Sequence, residues 1–175
     1  MLLTVGHGRL DRDQLAALLT GAGVELLVDI RRFPGSRANE AASKGAVPEI
    51  TRDAGIDYRW EEDLGGRRSL TAAQRRASPD TWWQVEAFRA YSAWTRTAEF
   101  RTALDRVVAD ARSRRTAVMC SESVWWRCHR RVVADVVTTM HDLPVGHLMH
   151  TGEVVPHTPS EGIRLDSSGE PFWDR

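Results

Sequence analysis

Short apolar runs alternate with helical patterns along this chain, and that alternation limits the fold more than any other feature of the sequence. Residues 24–30, VELLVDI, form the near-continuous apolar run that is typical of a strand buried on both faces of a parallel sheet. Shorter strand-like runs occur at residues 2–5, 56–60, 116–120 and 144–148. Helical patterns separate these runs. We therefore predict an α/β fold, a single three-layer domain whose mostly parallel sheet carries helices on both faces.

The helices are recognised by their caps and by the spacing of their apolar residues. Asp11 followed by Gln14 has the pattern of a capping box, and Leu15 and Leu19 contribute to one apolar face of the helix that it opens. Another helix is predicted to begin near Thr97. A helix that connects two successive strands lets those strands run parallel to each other.

The length of 175 residues predicts one domain. We assign residues 1–157 to a single α/β domain and residues 158–175 to a polar, extended C-terminal tail. The first residues, MLLTVGHGRL, lack the basic segment and the cleavage site of a signal peptide, and no apolar run approaches the ~20 residues of a membrane helix. Two cysteines do not form a disulfide scaffold, so the sequence favours a cytoplasmic protein with no membrane association.

Charge is balanced overall but unevenly distributed. Residues 61–131 contain 14 bases and 9 acids, whereas residues 132–175 contain 2 bases and 7 acids. A basic middle segment can provide an anion-binding face. A net charge of zero does not favour strong non-specific binding to nucleic acid, which requires a basic surface overall.

Polar side chains and glycines follow the ends of the predicted strands. They are His7 after the first strand, Asp29, Arg31 and Arg32 at the second, Gly65 and Gly66 after the third, Cys120 and Glu122 at the fourth, and His147 in the last. Carboxyl ends of parallel strands meet at one edge of a sheet, where ligands of open α/β sheets bind. We expect these residues to converge there.

Both cysteines of the chain lie in the stretch AVMCSESVWWRCHRRVVADVV, residues 117–137. Cys128, His129 and Arg130 fall near the start of a predicted helix, where the helix dipole favours anions. A thiol in that position beside arginines is expected to have a lowered pKa. Trp126 precedes them and could stack on a planar ligand or cover the core, and Cys120 could equally be a buried, inert cysteine.

The chain resembles domain-of-unknown-function family 488. The matching segments, in the order of the family, are TVGHG, LLVDIRRFPGS, YRWEEDLGG, FRAYSAWTRTAEFRTAL, MCSE, CHRRVVAD and VGHL, whereas residues 38–45 depart from the family pattern. The resemblance implies an α/β fold and a shared site, but no established activity. The residues at the positions of the family pattern are His7, Asp29, Arg31, Pro34, Ser36, Gly65, Gly66, Tyr91, Cys120, Glu122, Cys128, His129 and Arg130.

The first functional hypothesis is a site that binds or acts on a phosphorylated ligand, such as a nucleotide or a nucleic-acid end. Arginines would hold the phosphate, and Glu122 or Asp29 would act as a general base or bind a ribose hydroxyl. The candidate catalytic residues are Asp29, Cys120, Glu122, Cys128 and His129. The candidate ligand-binding residues are His7, Arg31, Arg32, Ser36, Gly65, Gly66, Tyr91, Trp126 and Arg130.

Three other functions stay open at this point. Sulfur transfer is suggested because LLVDIRRFP resembles an element of rhodanese-like domains, although Arg127 lies seven residues after Cys120, too far for a tight anion cradle. Metal binding is suggested by Cys120, Cys128 and His129, with His7 or His147 as a further ligand. Their spacing is not a standard zinc pattern, and the sequence predicts no metal and no cofactor. The third is an interaction protein with buried ion pairs. His141, His150 and His157 are interpreted as surface residues.

Overall fold

The computed structural model describes residues 1–36 and 38–174. Within these residues the main sheet has six strands, in the spatial order β3-β2-β4-β1-β5-β6. The strands are β1 (Leu2–Gly6), β2 (Leu26–Asp29), β3 (Asp57–Trp60), β4 (Thr116–Cys120), β5 (Val145–Leu148) and β6 (Val154–Pro156). The helices are α1 (Arg12–Gly21), α2 (Ala46–Asp53), α3 (Ala72–Ala77), α4 (Glu86–Thr95), α5 (Ala98–Ser113) and α6 (Arg130–His141).

The first five strands are parallel to their neighbours, and only β6 runs antiparallel, as the return strand of a hairpin with β5. This confirms the predicted α/β fold with a mostly parallel sheet. In the register of the two central strands, Gly6 lies beside Cys120. In the next pair Asp29 lies beside Met119. The carboxyl ends of β1, β2 and β4 therefore meet at one edge.

Two apolar cores lie on the two faces of the sheet. Leu2, Val28 and Val118 pack on the side of α5 and α6. On the other face the strand residues Leu3 and Met119 pack against apolar residues of α1 and α2. Because successive side chains of a strand point to opposite faces, apolar residues at every position fill both cores at once.

Local sequence signals explain where the helices begin. The Asp11 side chain accepts a hydrogen bond from the backbone N–H of Gln14, and the Gln14 side chain accepts one from the backbone N–H of Asp11. This is the capping box that the sequence predicts for α1. Thr97 caps α5 in a similar way, through its hydroxyl and the N–H of Phe100.

The C-terminal residues differ from the predicted extended tail. They form a small antiparallel hairpin of β7 (Ile163–Leu165) and β8 (Pro171–Trp173), joined by a turn at Asp166. Trp173 is fully buried and donates a hydrogen bond from its indole N–H to Asp135 of α6. The prediction of an extended tail is wrong because a few apolar side chains are enough to dock a hairpin whose other residues are polar.

No helix within residues 1–36 and 38–174 combines the length and the apolarity that crossing a bilayer requires.

Candidate functional site

Backbone hydrogen bonds bring the loops after β1, β2 and β4 together at the carboxyl edge of the sheet. The N–H of His7 donates to the carbonyl of Cys120 at 3.0 Å, and the N–H of Gly8 donates to the carbonyl of Ser121 at 2.9 Å. On the other side of β4 the N–H of Ile30 donates to Met119. The predicted convergence of strand ends therefore includes the loop that carries both cysteines.

Cys120, Cys128 and His129 form a compact cluster at this edge. The Nδ1 atom of His129 lies 3.7 Å from Sγ of Cys120 and 3.6 Å from Sγ of Cys128. The Nε2 atom of the same ring lies 3.2 Å from the carbonyl oxygen of Ile30. A carbonyl can only accept, so Nε2 carries a proton, and Nδ1 is the ring nitrogen that faces the two sulfur atoms.

The two thiols differ in acidity although both are buried. Burial acts to raise the pKa of Cys128, but a hydrogen bond from Cys120 and the charges of His129 and Arg130 hold that pKa well below its ordinary value. The hydrogen bond to Cys128, together with burial, raises the pKa of Cys120. Cys128 is therefore the thiol that ionises first, as expected for a cysteine close to arginine and to a helix start.

Arg130 holds the cysteine loop in place. Its side chain is almost fully buried, its Nε donates to Sγ of Cys128 at 3.4 Å, and its Nη2 donates to the carbonyl oxygens of Glu122 and Ser123. A Cβ atom at Gly6 would lie 1.8 Å from that Glu122 oxygen, so glycine is required there. Arg130, which the sequence predicts as a ligand-binding residue, thus uses Nε and Nη2 to hold the cysteine loop.

Asp29 and Arg31 form a second committed group. The carboxylate of Asp29 is fully buried and accepts hydrogen bonds from Arg31 Nε at 2.9 Å and Nη2 at 2.5 Å. It also accepts one from the Tyr58 hydroxyl at 3.0 Å. Burial, then the negative charge of Asp29 and its hydrogen bond, raise the pKa of Tyr58. Both carboxylate oxygens of Asp29, a candidate catalytic residue, therefore accept hydrogen bonds from within the protein.

A cavity of about 360 Å³ lies directly against the thiol cluster. Cys120, Cys128 and His129 form part of its lining. Other predicted site residues that line it are Arg31, Arg32, Gly66, Tyr91 and Glu122. The residues of its lining that sequence reasoning missed are Phe33, Arg67, Val85, Ala87, Phe88, Ser121 and Arg127. The two arginines could have been found because they lie next to Gly66 and Cys128 in the sequence.

The charged side chains around this cavity are largely uncommitted. Arg67, Arg127 and Glu122 are exposed, and among the described residues none of their side chains forms a hydrogen bond or an ion pair. Arg32 donates from Nη1 to the carbonyl oxygen of Arg67 at 2.9 Å, which leaves its other N–H groups available. The cavity therefore combines an excess of guanidinium groups with one carboxylate.

His7 and Ser36 lie in a second, wider cleft on the other side of Glu122. Burial, then the charge of Arg31, lower the pKa of His7. Within the described residues Nε2 of His7 is buried without a hydrogen-bond partner. The Ser36 hydroxyl accepts hydrogen bonds from the N–H groups of Ala38 and Asn39 and so shapes the loop. Of the predicted ligand-binding residues, two therefore line this cleft and four line the first cavity, whereas Gly65, Trp126 and Arg130 line neither.

Tyr91 and Gly66 line the first cavity, and Gly65 comes directly before Gly66 in the chain. The Tyr91 hydroxyl donates to the carbonyl oxygen of Leu64 at 2.5 Å, and its ring lies 5.0 Å from that of His129. A Cβ atom at Gly66 would approach His129 Nδ1 to 2.8 Å, and one at Gly65 would meet the backbone of Arg32. Trp126 is 49% exposed and lines neither cavity.

His147 lies in a buried chain of polar groups away from the cavities. Its Nδ1 is hydrogen-bonded to the Thr4 hydroxyl at 2.7 Å, and its Nε2 is hydrogen-bonded to His157 Nδ1 at 3.0 Å. His157 in turn donates to Asp135 at 2.9 Å. The interpretation of His157 as a surface residue is wrong, since His157 is buried between His147 of β5 and Asp135 of α6. Sequence reasoning missed it because its partners lie far away in the chain.

The fold and the site together define an α/β protein with a Cys/Cys/His cluster at the carboxyl edge of its sheet. The family model described as "Domain of unknown function DUF488" matches residues 11–137. The chain therefore belongs to the DUF488 family, as its motifs predict. The matched segment contains both cysteines, His129 and Asp29 but not His7. Comparison with curated proteins and with solved structures finds no match.

Proposed function

We propose that the cavity beside the thiol cluster binds a small phosphorylated ligand, either a nucleotide or a nucleic-acid end. The observation that carries the proposal is the set of uncommitted guanidinium groups of Arg32, Arg67 and Arg127 around the cavity. Guanidinium groups bind phosphate through paired, charge-assisted hydrogen bonds. Arg31 and Arg130 have no part in this contact, because the first is paired with Asp29 and the second with the cysteine loop.

The remaining lining residues suit the same ligand class. Phe33 is 62% exposed at the cavity and offers a face on which a base can stack. Glu122 is the carboxylate that can act as a general base or hold a ribose hydroxyl. In this proposal Phe33, and not Trp126, stacks on the base. Glu122, and not Asp29, acts as the general base or binds the ribose hydroxyl.

The size of the cavity and the balanced charge favour a compact ligand over a long duplex. A net charge of zero provides little of the counterion release that drives non-specific binding to nucleic acid. A cytoplasmic location belongs to the same proposal, since both thiols are free and a reducing compartment keeps them so.

Calorimetric titration with inorganic phosphate, pyrophosphate and a nucleoside triphosphate tests the proposal. We expect saturable binding and a raised melting temperature. R127Q and R67Q each remove a charged hydrogen bond worth about 1.5–3 kcal/mol, so affinity falls about tenfold or more. R76Q is the matched control, since Arg76 is exposed on α3 and lines neither cavity. Absence of binding by all three anions, or equal losses in R76Q and R127Q, would refute the proposal.

A further inference from the structure

The Cys120, Cys128 and His129 cluster has the dimensions of a metal site. Each of the three side chains offers one donor atom, and these atoms all lie within 4.8 Å of one another. Zinc bonds of about 2.3 Å to sulfur and about 2.0–2.1 Å to nitrogen, at tetrahedral angles, place a sulfur and a nitrogen ligand about 3.6 Å apart. The Nδ1 atom of His129 lies 3.7 Å and 3.6 Å from the two sulfur atoms.

We propose that Cys120, Cys128 and His129 bind one Zn²⁺ ion, with the fourth coordination position open to the cavity. Three protein ligands and one open position are typical of catalytic zinc sites, whereas structural sites use four protein ligands. All three residues line the same cavity, so a water molecule or a ligand atom can complete the tetrahedron from that side. Thiolate ligands favour zinc over the hard cations Mg²⁺ and Ca²⁺.

The groups around the cluster orient His129 and Cys128 for a metal, whereas the Cys120 thiol would release its proton on binding. His129 is oriented by its hydrogen bond from Nε2 to the carbonyl of Ile30, the contact that zinc-bound histidines commonly make through their second nitrogen. Arg130 donates to Sγ of Cys128 and supports a thiolate there. Two thiolates, one neutral imidazole and Zn²⁺ sum to zero charge, which suits ligands buried at a sheet edge.

The sequence spacing hides this site because the ligands come from different elements. Cys120 ends β4, Cys128 follows a turn of 3-10 helix, and His129 caps α6. The standard zinc spacings describe pairs of ligands within one short loop, and these three ligands are not arranged in that way. Gly66 contributes by leaving space beside His129 Nδ1 that a larger residue would occupy.

This proposal is independent of the phosphate proposal, and its first test is metal content. Protein without a histidine tag, purified without chelators and passed through gel filtration, should contain about one zinc per chain by mass spectrometry. C128S and H129Q should reduce this to near zero. H141Q should retain it, because His141 lies at the far end of α6. Near-zero zinc in the wild type after growth with added zinc, or full zinc in C128S, would overturn the proposal.

Cobalt binding provides a second test, which uses only the wild-type protein and so does not depend on whether a variant folds. Wild-type protein stripped with chelator and titrated with Co²⁺ should show thiolate-to-cobalt charge transfer and the strong visible bands of a tetrahedral site, saturating at about one equivalent. Zn²⁺ should displace the cobalt. Absence of these bands in reduced, folded protein, or isolation of the native protein as a Cys120–Cys128 disulfide, would overturn the proposal.

Pyrophosphate added to the cobalt form separates the two proposals. A change in the visible bands shows that the fourth position is accessible from the cavity. If the bands form and do not respond to pyrophosphate, azide or cyanide, the open position is refuted. Pyrophosphate binding measured by calorimetry on chelator-treated protein tests the arginine site by itself, so failure of one proposal is distinguishable from failure of the other.

Discussion

Asp29 and Arg31 illustrate how burial decides what a charged side chain does at the residue scale. Both are buried, at 0% and 5% exposure, and each provides the counter-charge of the other. Arg67 and Arg127 lie close by but are exposed and uncommitted. The sequence identifies all of these as charged residues near one edge. It does not tell which are paired, because the partners Tyr58 and Ala42 come from other elements.

D29N should destabilise the protein by about 3–5 kcal/mol, because it leaves the charge of Arg31 buried without its partner. Urea unfolding at pH 7 measures this loss. D53N is the matched control: Asp53 also pairs with an arginine, Arg12, but its side chain is 63% exposed. An exposed pair contributes about 1 kcal/mol or less. Equal losses in the two variants would contradict the structural role assigned to the Asp29–Arg31 pair.

At the scale of elements, strands and helices follow from the sequence wherever the apolar pattern is long. VELLVDI predicts β2, and the capping box at Asp11 predicts the start of α1, since both signals are local. The β7–β8 hairpin was missed because its strands have three residues each, too short for a period to be recognised. Turn residues at Asp166 and Gly169 were the remaining signal.

W173A tests whether this hairpin is part of the folded core. Trp173 is fully buried against the helix layer and bonded to Asp135, so its truncation should cost about 3–5 kcal/mol in urea unfolding. W126A is the control, since Trp126 is half exposed and its loss should cost about 1 kcal/mol or less. W126A should also leave phosphate affinity unchanged. A W173A protein as stable as W126A would show that the hairpin is dispensable.

The site itself was predictable in position but not in chemistry. Strand order and parallel register place Cys120, Glu122 and Asp29 at one edge, and a chain of alternating elements predicts that much. His129 points Nδ1 at the two sulfur atoms because its Nε2 is hydrogen-bonded to the carbonyl of Ile30 and because Gly66 leaves space beside Nδ1. Such contacts join residues distant in the chain, and no local pattern encodes them.

At the scale of the whole molecule, one buried network joins the sheet to the helix layer and the C-terminal hairpin. Thr4 of β1, His147 of β5, His157, Asp135 of α6 and Trp173 of β8 form a continuous chain of hydrogen bonds. Asp135 only accepts, so Nε2 of His157 carries the proton that it donates to Asp135. The ring of His147 also stacks on Trp125 at 3.8 Å, which connects the network to the cysteine loop.

This network predicts a dependence of stability on pH. Burial, then the charges of His157 and Arg130, lower the pKa of His147 to about 3, while Cys128 acts weakly in the opposite direction. Below pH 6.5 the unfolded chain binds a proton at this residue that the folded protein does not bind. The free energy of unfolding should therefore fall by about 1.4 kcal/mol per pH unit from pH 6.5 towards pH 3.

Urea unfolding of the wild type and of H147Q, at pH 7 and pH 5, isolates this contribution. Carboxylates titrate similarly in both proteins, so their effect cancels in the comparison. The wild type should lose about 2 kcal/mol more than H147Q between the two pH values, because glutamine has no proton to gain in the unfolded state. H141Q, altered at a partly exposed histidine of α6, should follow the wild type more closely. Parallel losses in the wild type and H147Q would mean that His147 gains its proton in the folded protein as well, and would contradict its lowered pKa.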